Sequence, residues 1–396
     1  MYETLTEGQE QGLKIAVDRY KAGCPYTCIA GYAGVGKSFL VKHIVAALGF
    51  KPQEVAYIAY TGQAAQVLKQ KGNPNAMTAH KLLYKARPMP NGGFKFFPKI
   101  LLDEDYKMIV VDEVSMLPKQ MWDLLLRHKI YVVACGDPAQ LPCINPDNDN
   151  HILDKPHIFL TKIMRQAEES EIIRLSMWIR EGKPLSEYKP DNEQVQIYKE
   201  NEVVSGMYSW ADQIICATNK NRRKINDIMF NLKGLDKENL IDAKVINLHN
   251  QWEFFDTTNT YPLVNGSKGT IEYCYKEKVH YPSYIVDRPI ETLYAQIKTD
   301  DDLTYSMIPI DYSLLTTGET LVTDRARYLM NKNNHCPNAP FVFDYGYCIS
   351  CHKSQGDQYN KVLLFEEGFP YDKEEHSRWL YTGITRAVDK LVIIEK

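Results

Sequence analysis

Eight consecutive residues, Gly31-Tyr-Ala-Gly-Val-Gly36-Lys37-Ser38, satisfy the spacing G-x-x-x-x-G-K-S. Gly34 and Gly36 carry no Cβ, so successive backbone N–H groups there can turn into one concavity and meet an anion at close range. Lys37 is placed to reach the β and γ phosphates of a nucleotide, and the Ser38 hydroxyl to ligate Mg²⁺. The bland alternative is a glycine-rich turn without a ligand. Context disfavours it, because an apolar run leads into the loop and a helical pattern leaves it at Phe39. A second chemical signal follows where Met108-Ile-Val-Val111 ends in Asp112-Glu113. Open parallel sheets place their ligands beyond the C-terminal ends of strands. Asp112 would hold Mg²⁺ there, and Glu113 would orient or deprotonate an attacking water. Alone, such an acidic pair is an ordinary solvated loop; beside a phosphate loop it points to hydrolysis of ATP, with ATP and Mg²⁺ as the cofactors.

These residues need a scaffold, and the chain supplies its pattern. Short apolar runs at 27–30, 55–60, 108–111 and 130–135 alternate with helical periods, as in parallel strands covered on both faces. A doubly wound α/β domain is expected. Between 83 and 105 the pattern breaks into prolines, the pair Gly92-Gly93 and the cluster Phe94, Phe96 and Phe97, which reads as a protruding hairpin turning near Asn91-Gly92. A second α/β pattern starts near 159, with a strand at 213–217 and a helix over 220–231, and resumes with strands at 345–350, 362–365 and 391–394. From 245 to 334 a β-rich stretch with few helical periods interrupts it, suiting a small barrel-like insertion.

Composition sets outer limits. The 396 residues are 44% hydrophobic and 24% charged, enough for several packed domains, and a net charge of −3 excludes a uniformly basic nucleic-acid coat while allowing a local basic groove. The start reads as an amphipathic helix without a secretory signal, and no apolar run has membrane length. The expected location is the cytoplasm, that of a bacterial host if the source is viral. Nine irregularly spaced cysteines argue for reduced thiols. Cys348-Ile-Ser-Cys351-His352 matches a haem-attachment spacing, and His335 with Cys336 suggests zinc, but buried thiols on a strand are the stronger reading.

One further block makes the pattern specific. A strand ends in Gly136-Asp-Pro-Ala-Gln140-Leu-Pro142, completing an ordered series: LTEGQ with Gln9, the phosphate loop, AYTGQAA at 59–65, TAHKL at 78–82, DEVSM at 112–116, GDPAQLP, LTKIMRQ at 160–166, ATNKNRR from Ala217, SCHKSQG at 350–356 and YTGITRA at 381–387. The series resembles the superfamily 1 helicases over nearly the whole chain. Hairpin length, the HKSQG block and the compact insertion are most similar to the RecD-like, 5′-to-3′ branch and, within it, the small Dda-type helicases of bacteriophages. The resemblance implies two RecA-like domains: 1–155 with a hairpin insertion at 84–105, then 156–244 and 335–396 around an SH3-like insertion at 245–334. It implies that Gln9 contacts adenine, that Gln140 senses the γ-phosphate, and that Arg165 and Arg386 face the phosphates from the second domain. Thr61, His80, Asn219, Ser350 and His352 match DNA-facing positions, and Phe96 is the first choice for a strand-separating wedge. Tyr60 and Cys351 depart from the family pattern. Implied partners are single-stranded and forked duplex DNA, a single-strand-binding or replication protein, and no membrane, with the chain acting as a monomer. Two rival readings stay open: a DNA-dependent ATPase that clamps or remodels protein–DNA complexes without unwinding, and an RNA helicase of the same superfamily.

Overall fold

The computed structural model describes residues 4–88, 94–142, 149–164, 169–259, 261–300, 302–333 and 336–396. Asn91, Gly92, Arg165 and His335 lie outside them. The helix Glu7–Lys21 opens the described chain and is started by a capping box, in which Gln9 N donates to Thr6 Oγ1 and Thr6 N to Gln9 Oε1. A parallel sheet follows, with its strands in the lateral order Ala76–Thr78, Val55–Ala59, Met108–Val111, Tyr131–Gly136, Tyr26–Gly31 and Ile158–Leu160. Its central strands are buried along their whole length because helices cover both faces. Ile29, Met108, Val110 and Val133 of the sheet pack with Leu40, Val41 and Ile44 of the helix Lys37–Ala47 and with Ala16 of the first helix. Each such aliphatic contributes about 1.5–3 kcal/mol by leaving water. The loops at the strand ends therefore stand on a rigid floor.

A second parallel sheet is ordered Cys348–Ser350, Gln213–Cys216, Tyr359–Phe365, Ala387–Glu395 and Val195–Lys199. The helices Glu171–Arg180 and Lys373–Ile384 accompany it. Both parallel sheets lie in one compact unit, made of the chain up to Leu83 with Pro98–Arg222 and Ile349–Lys396. This is the two-sheet α/β architecture expected from the alternating pattern.

The other compact unit takes in Tyr84–Phe97 and Arg223–Cys348. Its sheet is antiparallel, in the order Thr304–Asp311, Ile290–Thr299, Lys268–Val279, Lys244–Asn247 and Phe343–Tyr345. Two helices the sequence pattern did not suggest, Tyr312–Thr317 and Asp324–Lys332, belong to it as well. Residues 345–350, read as one strand of the second α/β half, split in two. Phe343–Tyr345 pairs with Lys244–Asn247 in the insertion, and Cys348–Ser350 edges the parallel sheet. The hairpin strands are Tyr84–Pro88 and Phe94–Pro98, with Tyr84 and Phe96 in edge-to-face contact. Among the described residues no helix is long and apolar enough to cross a membrane. Cys348 and Cys351 are buried free thiols.

Candidate nucleotide and nucleic-acid site

Strand order brings the motifs together. The strands ending in the phosphate loop, in Gly136-Asp137 and in Asp112-Glu113 are consecutive neighbours, so their C-terminal loops form one continuous edge. Gly34 and Gly36 both have φ of 77°, a conformation open to glycine. A Cβ on Gly36 would sit 2.6 Å from Gln9 Nε2, so no other residue fits there without displacing Gln9. Gln9 is buried, and its Nε2 donates to Val35 O at 3.2 Å, holding the loop from behind. Lys37 Nζ donates to Gly31 O at 2.7 Å and Tyr32 O at 3.0 Å, which keeps the ammonium curled over the loop. Ser38, in the first turn of the same helix, is exposed.

Across the edge, Asp112 accepts from Glu113 N at 3.1 Å, and its carboxyl is pushed up to about 6 by burial and then by the Glu113 charge, with Lys37 pulling the other way. Glu113 holds a left-handed backbone at φ 48°, a costly conformation for a residue with a Cβ that turns its side chain out of strand register. An acid held above its ordinary range by burial, with a second acid beside it, is a site that gains from a cation, which fits a divalent metal at Asp112 and Ser38.

The second half reaches the loop through Tyr381 of the helix Lys373–Ile384. Its hydroxyl donates to Asp137 Oδ2 at 2.7 Å and accepts from Ala33 N at 2.9 Å, with both Tyr381 and Asp137 buried. Beside it, Leu141 N donates to Thr382 Oγ1 and Gln355 Nε2 donates to Leu141 O, each at 2.9 Å. The blocks GYAGVGKS, GDPAQLP, SCHKSQG and YTGITRA are thus bonded into one network around Gln140, itself buried. Arg386 is buried too. It donates to Thr382 O, Asp357 O and Thr385 Oγ1, so among the described residues three of its five N–H donors are spent on its own half.

Of the residues that match DNA-facing positions, Thr61 and His80 follow the strands at the other end of the first sheet's edge, and Asn219, Ser350 and His352 belong to the second sheet's half. Thr61 caps the helix Gly62–Gln70 through Ala64 N, and His80 follows the neighbouring strand. The rings of Tyr60 and His80 lie 5.8 Å apart, and burial lowers the His80 pKa. Gly356, at φ 84°, approaches this helix so closely that a Cβ would lie 2.8 Å from Ala64 Cβ. Ser350 precedes the turn Cys351–Ser354 without a side-chain capping bond, and burial likewise lowers the His352 pKa. Asn219 is exposed at the start of Asn219–Leu232, its Oδ1 accepting from Arg222 Nε. Phe96 is half-buried in the hairpin. Sequence reasoning missed the roles of Tyr381, Asp137, Thr382 and Gln355, although all lie inside quoted blocks. It missed Arg180 altogether, whose guanidinium sits 3.6 Å over the Tyr32 ring.

Known proteins share the fold. A curated relative, the ATP-dependent DNA helicase Dda of Enterobacteria phage T4, is 26% identical over 179 residues. The match covers 44% of this chain and spans 40% of that relative's length. Among solved structures, Pif1 helicase from Bacteroides in complex with ADP-AlF3 and single-stranded DNA superposes at a TM-score of 0.53 and 16% identity, covering all of this chain (100%) and 92% of the other. A Pif1 structure solved to explain unwinding of forked double-stranded DNA gives 0.54 and 17%, over 99% and 92%. These neighbours share the fold of two RecA-like sheets. The model of the UvrD-like helicase C-terminal domain matches residues 345–394, the stretch holding SCHKSQG and YTGITRA. The AAA domain model matches residues 4–208, over half of the chain and all of the first parallel sheet, and the chain belongs to that family.

Proposed function

We propose that the chain is an ATP-dependent DNA helicase that moves 5′ to 3′ along single-stranded DNA and opens duplex ahead of it. The observation that carries the reading is the bonded path from Ala33 through Tyr381 to Asp137. It ties the loop that would hold phosphate to the second half, so a change in the loop must be felt by both halves. In this reading Lys37 leaves its carbonyl partners for the β and γ phosphates, to which a cation binds more strongly. Glu113 orients the attacking water, Gln140 reports the γ-phosphate to the network, and Arg386 offers its guanidinium to charge developing in the transition state. Arg165 would join it from outside the described residues. Ser38 and Asp112 would hold Mg²⁺, which when bound neutralises phosphate charge.

Alternating grip turns this cleft into a motor. Thr61 and His80 on one sheet, and Asn219, Ser350 and His352 on the other, would hold the DNA backbone and stack its bases, a mode indifferent to sequence. Closing and opening around the nucleotide would change the spacing of the two sets. The T4 relative's name and the DNA-bound Pif1 neighbours favour DNA over RNA. The hairpin would part the strands through Phe96, and a single-strand-binding or replication protein in the same cytoplasm is the natural further partner of a monomeric motor. Incubation with a 5′-tailed fork and ATP tests the whole reading: single strands should accumulate, and Lys37→Ala should yield none. DNA-stimulated hydrolysis without strand separation would favour the remodelling ATPase instead, and stimulation by RNA at least equal to that by DNA would move the substrate class.

A further inference from the structure

Arg180 closes the helix Glu171–Arg180 and lies outside every sequence block that resembles the helicases. Its neighbours are spoken for: Arg174 of the same helix is paired with Glu171, and Arg378 with Glu374. Among the described residues Arg180 itself has no carboxylate at ion-pair distance, and its contact is the face of Tyr32, the second residue of the phosphate loop. It lines a cavity of about 230 Å³ whose wall also includes Ala139 of the GDPAQ loop and Tyr381. One water takes about 30 Å³, so this open space has room for a solvated anion of phosphate size. Glu374 and Arg378 share the wall, but they bond each other at 3.0 Å and cancel. What remains is a half-buried planar cation facing a small cavity one residue from Ala33.

We propose that this cavity binds a phosphate oxyanion, with Arg180 as its cation and the Tyr32 ring as the platform that holds the guanidinium flat. The planar fork matches two phosphate oxygens, and stacking limits the freedom Arg180 loses on binding. The inference rests on the ATP-hydrolysis reading and deepens it, since the anion is either the γ-phosphate of the bound nucleotide or the inorganic phosphate set free beside it.

Arg180→Gln and Arg180→Lys in the full chain test the site against wild type. Released phosphate as the ligand predicts that product inhibition by inorganic phosphate weakens about tenfold in Arg180→Gln, inhibition by ADP staying unchanged. The γ-phosphate as the ligand predicts a similar loss of ATP affinity without loss of ADP affinity. Arg180→Lys keeps the charge and should lose less in either case; it carries the comparison if Arg180→Gln lowers the melting temperature. Unchanged phosphate inhibition together with unchanged ATP and ADP affinity overturns the site and leaves Arg180 as a stacking partner of Tyr32. Should the wild type fail to hydrolyse ATP, the motor reading falls by itself. The cavity is then decided by the melting shift in inorganic phosphate against chloride at matched ionic strength, present in wild type and lost in Arg180→Gln if the site exists and equal in both if it does not.

Discussion

Lys37 is bonded to two carbonyls of its own loop, so removing it should leave the sheet beneath intact. Lys37→Ala is expected to lose ATP turnover by orders of magnitude while still binding single strands; near-normal turnover in the purified variant would sink the loop's assignment. Asp112 gives a pH signature. Burial and then the Glu113 charge push its carboxyl up to about 6, and only the ionised form can ligate a metal. Activity should therefore rise with pH through about 6. The profile of kcat/KM, which reports the free enzyme, should carry that acid limb, and a limb at ordinary carboxylate values would remove Asp112 from it. Arg386→Gln should cut turnover by about 10³-fold with a smaller effect on nucleotide affinity, as for a group acting mainly in the transition state. Normal turnover with weakened DNA binding would reassign it to the track. Lys37, Asp112 and Arg386 were legible because their types sit at diagnostic spacings. Tyr381 was not, since a tyrosine's role depends on where its hydroxyl ends, and here the partners are 244 and 348 residues away.

The hairpin Tyr84–Pro88 and Phe94–Pro98 carries the prediction at the scale of elements. A wedge needs a stiff apolar face to replace base stacking, worth roughly 1–3 kcal/mol per base. Phe96→Ala should therefore keep DNA-stimulated hydrolysis and translocation while unwinding of a fork falls sharply. Loss of all three together with the melting temperature would make the ring a packing residue, held by Tyr84. The hairpin and the parallel strands were readable from local pattern, because burial on both faces leaves an unbroken apolar run. The end of the insertion was not. Phe343–Tyr345 is assigned to that sheet by pairing with Lys244–Asn247, about a hundred residues earlier, and no local signal records such a partner. The helix Tyr312–Thr317 did leave signals, an Asp311 cap and Gly318 at φ 76°, but its single turn and a half is too short to show a period.

For the molecule as a whole, direction of travel is the property to measure. Duplexes with a 5′ single-stranded tail should be unwound and 3′-tailed ones left largely intact; unwinding from a 3′ tail alone would overturn the branch placement but not the motor. Direction was not readable from physics, since reversing it needs only a different order of grip and release on the same parts. The strand order described above does have a physical consequence for such experiments. From the strand feeding the phosphate loop to the strand feeding His80 there are four lateral steps, roughly 19 Å at the usual strand spacing, passing Asp137, then Asp112 and Glu113, then Tyr60 and Thr61. Position along the chain scrambles that sequence, because residue 80 lies at the rim and residue 31 near the opposite one. A substitution survey scored separately for nucleotide and DNA defects should thus form a smooth gradient when plotted by lateral strand rank and a jagged trace when plotted by residue number, with the mixed phenotypes gathered at the strand Met108–Val111 in the middle.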